Sequence, residues 1–191
     1  RLFMFIGRLD PWQKGLNVLI EGFSHAAQPE ALLVLVGPDS RGSRRSLEAL
    51  AERLGIRSRV VFTGAAFGAR RAGLGAEAGV FVHTSRWEGL SLSVLSAAAI
   101  GKPCLLTRDA DPLGSLERAN AAVIVEPTAS SIAEGIRRFA ELGESELQVM
   151  GARAKQATKA HPAWPEIARR LGEAYRTMLV PNVSGRRSPT G

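Results

Sequence analysis

The sequence predicts an α/β fold: a Rossmann-like, doubly wound parallel sheet of six strands. Three observations predict it. Six short apolar runs recur along the chain, and the first, Leu2 to Ile6, is continuous rather than alternating, as a strand buried on both faces requires. Stretches of helical periodicity separate the runs, with Leu16, Leu19, Ile20, Phe23 and Ala27 on one face of the first. Turn signals follow strands, as at Gly37-Pro38-Asp39 and Thr63-Gly64. Strands alternating with helices imply parallel pairing through right-handed crossovers, and the expected order is 3-2-1-4-5-6.

Taken in order, the first strand ends at a loop, Gly7-Arg8-Leu9-Asp10-Pro11. The first helix is expected from Gly15 to Ala27, so Arg8 leaves the strand end and Lys14 stands where the helix starts. Both can converge on one anion. Leu32 to Val36 is the second strand. Ser43 to Leu54 is a helix with Leu47, Leu50, Ala51 and Leu54 inward, capped by Gly55. Val60 to Phe62 is the third strand, followed by Ala65-Ala66-Phe67 and the pair Arg70-Arg71. Phe67 is expected to be buried at the start of a Gly- and Ala-rich helix, Gly68 to Ala76.

Val80 to His83 is the fourth strand, and Thr84 to Gly89 a polar loop at its carboxyl end. His83 reads as a structural residue with no partner in sight, and Trp87 as a packing residue. Leu90 to Ile100 is apolar on nearly every face, so it is expected as a buried helix, ended by Gly101 and Pro103. Cys104 to Leu106 is the fifth strand. Asp109-Ala110-Asp111 reads as a solvated loop with no metal, although Asp-x-Asp is a pattern that can hold one. Ala122 to Val125 is the sixth strand. Ser131 with Glu134, and Ser145 with Gln148, read as capping boxes that open two helices, the second reaching Lys159. His161 to Pro165 breaks the chain. A final helix then carries Trp164, Ile167, Leu171, Tyr175 and Met178 at helical spacing, expected buried. Residues 181–191 have no apolar periodicity and are expected to be a disordered tail after a domain spanning 1–180.

Composition narrows the class. At 191 residues with 45% hydrophobic content, the chain suits one α/β domain with a core of its own. A single cysteine, Cys104, forbids an internal disulfide and fits a reducing, cytoplasmic compartment. No apolar run approaches the ~20 residues that cross a bilayer. The net charge is +7, and residues 151–191 hold eight Lys or Arg against two Glu. Such a basic end reads first as a solvated helix face with a disordered tail, and it also suits peripheral contact with an anionic membrane. No aromatic interleaving or motif supports nucleic acid. The chain opens at Arg1 directly into a strand, as expected of a piece of a longer protein.

The chemistry gathers at the carboxyl ends of the strands, where open parallel sheets bind ligands. Glu88 and Gly89 lie there, and the backbone N–H groups of Gly89, Leu90 and Ser91 can receive a phosphate. The run EGLSLSVLSAAAIGKP resembles the signature of the family-4 glycosyltransferases, which are retaining enzymes of GT-B fold. The run GRLDPWQKGLNVLIEGF resembles the opening of that family's C-terminal, nucleotide-sugar-binding domain. The resemblance spans roughly Leu2 to Leu179 and makes this chain the C-terminal half of a GT-B fold. It implies that Arg8 and Lys14 bind the donor diphosphate and that Glu88 holds a hydroxyl of the donor sugar. It also implies that Ala66 and Phe67 line the nucleobase. The family's second Glu, which holds the ribose, falls on Ser96, a departure.

The expected function is donor binding in a retaining glycosyltransferase that moves a hexose from a nucleoside diphosphate sugar to an acceptor hydroxyl. Glu88, Arg8 and Lys14 are the catalytic candidates, and no metal or other cofactor is expected, because Arg8 and Lys14 bring positive charge to the diphosphate. The resemblance further implies an acceptor-binding N-terminal domain outside this chain, so the fragment alone is expected to be inactive. The alternative is a degenerate, non-catalytic nucleotide-sugar-binding or regulatory module, for which Ser96 speaks. A dehydrogenase half lacks support, because no G-x-G-x-x-G follows any strand.

Overall fold

Successive strand side chains point to opposite faces, so a continuous apolar strand needs a helix layer on each side. In β1 (Leu2–Ile6), Phe3 and Phe5 enter one core while Met4 and Ile6 enter the other. The same division runs through β2 (Leu32–Val36), β4 (Val80–His83) and β5 (Cys104–Thr107). β3 (Val60–Gly64) and β6 (Ala122–Val125) complete a six-stranded sheet of order β3-β2-β1-β4-β5-β6. Every pairing is parallel. The computed structural model describes residues 1–159 and 164–179. It divides into two units, Arg1–Lys159 and Ala160–Gly191. Of the expected break at His161 to Pro165, residues 161–163 lie outside the described residues, as does the tail at 181–191, while Trp164 and Pro165 stand inside a helix.

In the first unit, α1 (Leu16–His25), α2 (Ser43–Arg53) and α6 (Ala129–Glu141) cover one face of the sheet, burying Leu16, Phe23, Leu47, Ile136 and Phe139. The other core takes Val94 and Ala98 of α4 (Leu92–Ala99), Leu116 of α5 (Ser115–Arg118) and Ala154 of α7 (Glu144–Thr158). Leu74 of α3 (Gly68–Glu77) packs against it, partly buried. Two glycines set the helix spacing: a Cβ on Gly22 would lie 2.7 Å from Ile132, and one on Gly151 would lie 2.0 Å from the Gly101 carbonyl. Burial pushes the Cys104 thiol up, which leaves it protonated and inert.

The expected elements form, with corrections at helix ends and faces. α1 stops at His25, so Ala26 is buried and Ala27 stands outside at positive φ. α4 begins at Leu92, not Leu90, and it is not buried all round. Leu92, Ser96 and Ile100, spaced four apart, form an exposed face. Apolar composition marked the helix without saying which side met the sheet. α6 is capped by Thr128, whose side chain accepts from the Ser131 N–H, while Ser131 itself accepts from the Glu126 N–H. At α7 the cap is Gly143, whose N–H is bound by Glu146, so Ser145 lies inside the helix. Asp109-Ala110-Asp111 is not simply a loop: a 3₁₀ turn covers Arg108–Ala110, and Asp111 is buried against α5.

The second unit holds α8 (Trp164–Leu179). Its apolar positions are not buried as expected: Trp164, Leu171, Tyr175 and Met178 are exposed, and Ile167 is half-buried. Helical spacing fixes which side chains share a face, not what that face meets. Arg169 and Arg170 pair with Glu166, and Arg169 also with Glu173, along the helix surface. No described helix is long and apolar enough to cross a membrane.

Candidate functional site

The order in which strands are added reverses between β1 and β4, and the loops that leave those two strands meet there. A glycine makes the meeting close. Gly15 precedes α1 at φ 64°, a left-handed conformation that glycine adopts without a Cβ clash. A Cβ there would lie 2.2 Å from the Thr84 carbonyl oxygen. The buried Thr84 hydroxyl donates to the Lys14 carbonyl at 3.2 Å. Arg86 adds a second tie, donating its N–H to Gln13 at 2.9 Å and its guanidinium to the Trp12 carbonyl at 2.6 Å. Thr107, from β5, holds the Ser85 carbonyl at 2.6 Å. Lys14 is thereby delivered to the loop that carries Glu88.

Glu88 is the centre of the cluster. Its Oε1 accepts from Lys14 Nζ, from His83 Nε2 at 2.8 Å and from the Ser85 hydroxyl at 2.7 Å. Its other oxygen, Oε2, meets no donor among the described residues. The Glu88 and Lys14 side chains keep only 10% and 14% of their surface exposed. Burial alone would raise the Glu88 pKa, but hydrogen bonds from His83, Lys14 and Ser85 outweigh it and hold the carboxyl at about 2. Glu88 is therefore ionised throughout the neutral range.

His83 was the residue most misread from sequence. It is 1% exposed, stacks between Phe5 and Phe81, and has Glu88 as its partner. Burial lowers its pKa, against the opposing pull of Glu88, so the ring is neutral at pH 7. Its Nδ1 is buried and has no hydrogen-bond partner among the described residues. No sequence pattern announced the contact, because it depends on how the turn between residues 83 and 88 folds back.

The other expected residues divide into two groups. Ser91 precedes α4 but does not cap it: its hydroxyl lies 3.4 Å from His83 Nε2 and 3.2 Å from Ser93. Among the described residues no acceptor meets the backbone N–H groups of Gly89, Leu90 and Ser91. They are available to an anion, at the positive end of a helix. Arg8 does not join Lys14. It is exposed, donates to Gln13 Oε1 at 2.7 Å and lines a cavity of about 230 Å³ with Gly7, Pro38, Ala66, Phe67 and Arg71. A second cavity of about 320 Å³ shares Ile6, Arg71 and Ser93 with it and contains Ser96. No carboxylate lines either cavity.

Two expectations about aromatic side chains need correction. Phe67 is 74% exposed, not buried at a helix start, so its ring is open to a flat ligand. Trp87 is exposed rather than packed. Ser96 donates its hydroxyl proton back to the Leu92 carbonyl at 2.6 Å and keeps its oxygen free to accept. A larger cavity of about 440 Å³, between α6 and α7, contains none of the expected site residues. Among the described residues no cluster of three or more His, Cys, Asp or Glu could hold a metal ion.

A family model described as Glycosyl transferases group 1 matches residues 1–157. An uncharacterized glycosyltransferase of Methanocaldococcus jannaschii is 30% identical over 182 residues, covering 94% of this chain and 45% of that protein. Among solved structures, the sucrose-phosphate synthase of Thermosynechococcus elongatus matches with a TM-score of 0.80 at 24% identity, over 93% of this chain and 45% of that one. An Anabaena HepE structure, solved in complex with UDP, matches with a TM-score of 0.80 at 22% identity, over 92% of this chain and 48% of that one. These two structures speak for the fold alone. The chain spans a little under half the length of the relatives it matches.

Proposed function

The chain belongs to the glycosyl transferases group 1 family, and from that premise we propose that it is the donor-binding domain of a retaining, family-4 glycosyltransferase of GT-B fold. The longer protein would transfer a hexose from a nucleoside diphosphate sugar to an acceptor hydroxyl, with an N-terminal domain supplying the acceptor side. The observation that carries this reading is the state of Glu88. It is an ionised carboxylate with one oxygen filled by three donors and the other open, beside Lys14 and an uncapped helix start. Such a group accepts a hydroxyl; it is poorly disposed to abstract a proton, with a pKa of about 2.

Each part has a chemical task. Breaking the glycosyl bond puts negative charge on the leaving diphosphate. Lys14, Arg8 and the N–H groups of Gly89, Leu90 and Ser91 are fixed positive charge and dipoles for that charge to meet. Glu88 Oε2 orients the sugar by accepting a hydroxyl. Phe67 and Ala66 face the nucleobase, and Ser96 occupies the ribose position. The UDP bound in the Anabaena HepE structure makes UDP the first ligand to try. We assign the protein to the cytoplasm, with its basic C-terminal segment suited to peripheral contact with anionic lipid.

Calorimetric titration of UDP tests the reading. Lys14→Ala should weaken UDP binding by about 10- to 150-fold, the worth of roughly 1.5–3 kcal/mol for a charged hydrogen bond. Unchanged affinity, in a variant that still melts cooperatively, would remove Lys14 from the phosphate site. One observation favours a second reading, a domain that binds donor without turnover: Ser96 offers a single neutral oxygen where the resemblance expects a carboxylate, and among the described residues no carboxylate lines its cavity. Donor hydrolysis or transfer by the longer protein excludes that reading.

A further inference from the structure

We propose that His83 is a positioning residue for Glu88: its Nε2–H holds Oε1 and so presents Oε2 to a hydroxyl of the donor sugar. This rests on the reading of Glu88 as the sugar contact. The starting point is a buried imidazole that the scheme above leaves unused. Glu88 is ionised, and an ionised carboxylate only accepts hydrogen bonds. The atom 2.8 Å from its Oε1 is His83 Nε2, so Nε2 carries the proton. In a neutral ring Nδ1 is then bare, and it is the buried nitrogen that has no partner.

That tautomer leaves a buried acceptor unmatched, which costs stability. Leucine or phenylalanine would fill the space between Phe5 and Phe81 without that cost. What the imidazole adds is a rigid donor at one fixed point. The ring is 1% exposed and lies nearly parallel to those of Phe5 and Phe81, at 18° and 10°, so packing restrains it. Lys14 and Ser85 donate to the same oxygen from two other directions. The hydroxyl of Ser91, at 3.4 Å, is too far to displace Glu88 from Nε2. Three donors meet at Oε1, Lys14 from the loop before α1 and His83 and Ser85 from the end of β4 and the loop after it, and together they restrict where Oε2 points. A lysine and a serine alone, each on rotatable bonds, would leave the carboxylate free to turn.

Two measurements test the proposal. Long-range ¹H–¹⁵N spectra of the histidine rings should show His83 protonated at Nε2 and bare at Nδ1 in the ligand-free chain. A proton on Nδ1, or a charged ring at pH 7, overturns the proposal. The second measurement compares UDP with UDP-glucose, and GDP with GDP-mannose, by calorimetry. In the parent, the sugar should add affinity to at least one pair. His83→Phe keeps the stacking but has no donor, and should cut that increment about tenfold while leaving the free nucleotide within about twofold. His83→Gln places an amide N–H near the Nε2 position and should restore most of the increment.

An increment unchanged in His83→Phe overturns the positioning role while sparing the reading of Glu88. No increment for either pair in the parent overturns that reading, and the proposal with it. If His83→Phe also loses free nucleotide, or melts below the assay temperature, the comparison rests on His83→Gln and the tautomer. Failure of His83→Gln to keep the increment then overturns the proposal.

Discussion

Two buried carboxylates stand past neighbouring strands at the same end of the sheet, Glu88 after β4 and Asp111 after β5. Burial separates them little: Asp111 is buried, and Glu88, half-buried as a residue, keeps only 10% of its side-chain surface exposed. Their hydrogen bonds do. Asp111 uses both oxygens. Oδ1 accepts from the Ser115 N–H at 3.1 Å and its hydroxyl at 3.3 Å, while Oδ2 accepts from the N–H groups of Leu116 and Glu117 at 3.0 and 3.1 Å. Glu88 gathers three donors on one oxygen and leaves the other without any. The donors of Asp111 come from residues four to six positions ahead in the chain, so the local fold brings them. Two of the three donors to Glu88 are local as well, His83 and Ser85 standing five and three positions before it, but Lys14 comes from 74 residues away. A carboxylate with both oxygens filled by its own neighbourhood is a fastener. One tied to a distant lysine, with an oxygen to spare, is free to accept a hydroxyl, the role we propose for Glu88.

The comparison breaks most easily at Asp111. Asp111→Ala strips the acceptor from three backbone N–H groups at the start of α5, and should cost about 2–3 kcal/mol of stability. Urea denaturation reads it as a lower midpoint at unchanged slope. UDP affinity of the folded protein should stay as in the parent. A variant of parental stability that binds UDP poorly would make Asp111 the ligand residue and invert the comparison.

Glu88→Gln sharpens the other side. It keeps the shape and removes the charge, and should take away the affinity that a sugar adds to a nucleoside diphosphate, by about 10- to 150-fold. It also carries a pH signature. The folded pKa of Glu88, about 2, lies below its ordinary 4.5, so its contribution to stability is complete above pH 4.5 and is lost as pH falls toward 2. His83 is likewise depressed, so its contribution is complete above its ordinary 6.5 and fades below it. Between pH 4.5 and 2 the parent should lose stability more steeply than Glu88→Gln. Parallel curves there would mean that the three donors do not hold the carboxylate ionised.

The same contrast explains what was legible in the sequence. The strands were, because a parallel strand buried on both faces is an uninterrupted apolar run, as in Leu2–Ile6 and Leu32–Val36. The strand order followed from alternation with helices. Faces and caps were less legible: Thr128 and Ser131 are both cap-type residues three apart, and only the backbone geometry gives the cap to Thr128. Glu88 and Lys14 were visible as residue types at a loop. Their direct contact was not, since it depends on Gly15 meeting the Thr84 carbonyl across 69 positions. His83 was missed for a local reason, since its contact with Glu88 depends on how the turn between them folds back. Asp111 was misread although its donors are local, because a helix of one turn has no periodicity to announce it.

The smallest effect belongs to Asp109, which shares a tripeptide with Asp111 and none of its bonds. Asp109 is exposed in the 3₁₀ turn, and no hydrogen bond to its carboxylate forms among the described residues. Its neighbour Arg108 is not its partner, being turned to Glu117 with two bonds of 2.8 and 3.1 Å. Asp109→Ala should therefore change stability by no more than about 0.5 kcal/mol, the usual range for an exposed site without specific contacts. The pair also bears on metal binding, since two carboxylates two residues apart can share a divalent cation. Here Asp111 would have to release Ser115, Leu116 and Glu117 to do so, giving up four contacts that hold α5. Magnesium or manganese ions should then shift the melting temperature of the parent and of Asp109→Ala alike. A shift confined to the parent would mean that the cation competes successfully for Asp111, and that this carboxylate is not spent on the fold after all.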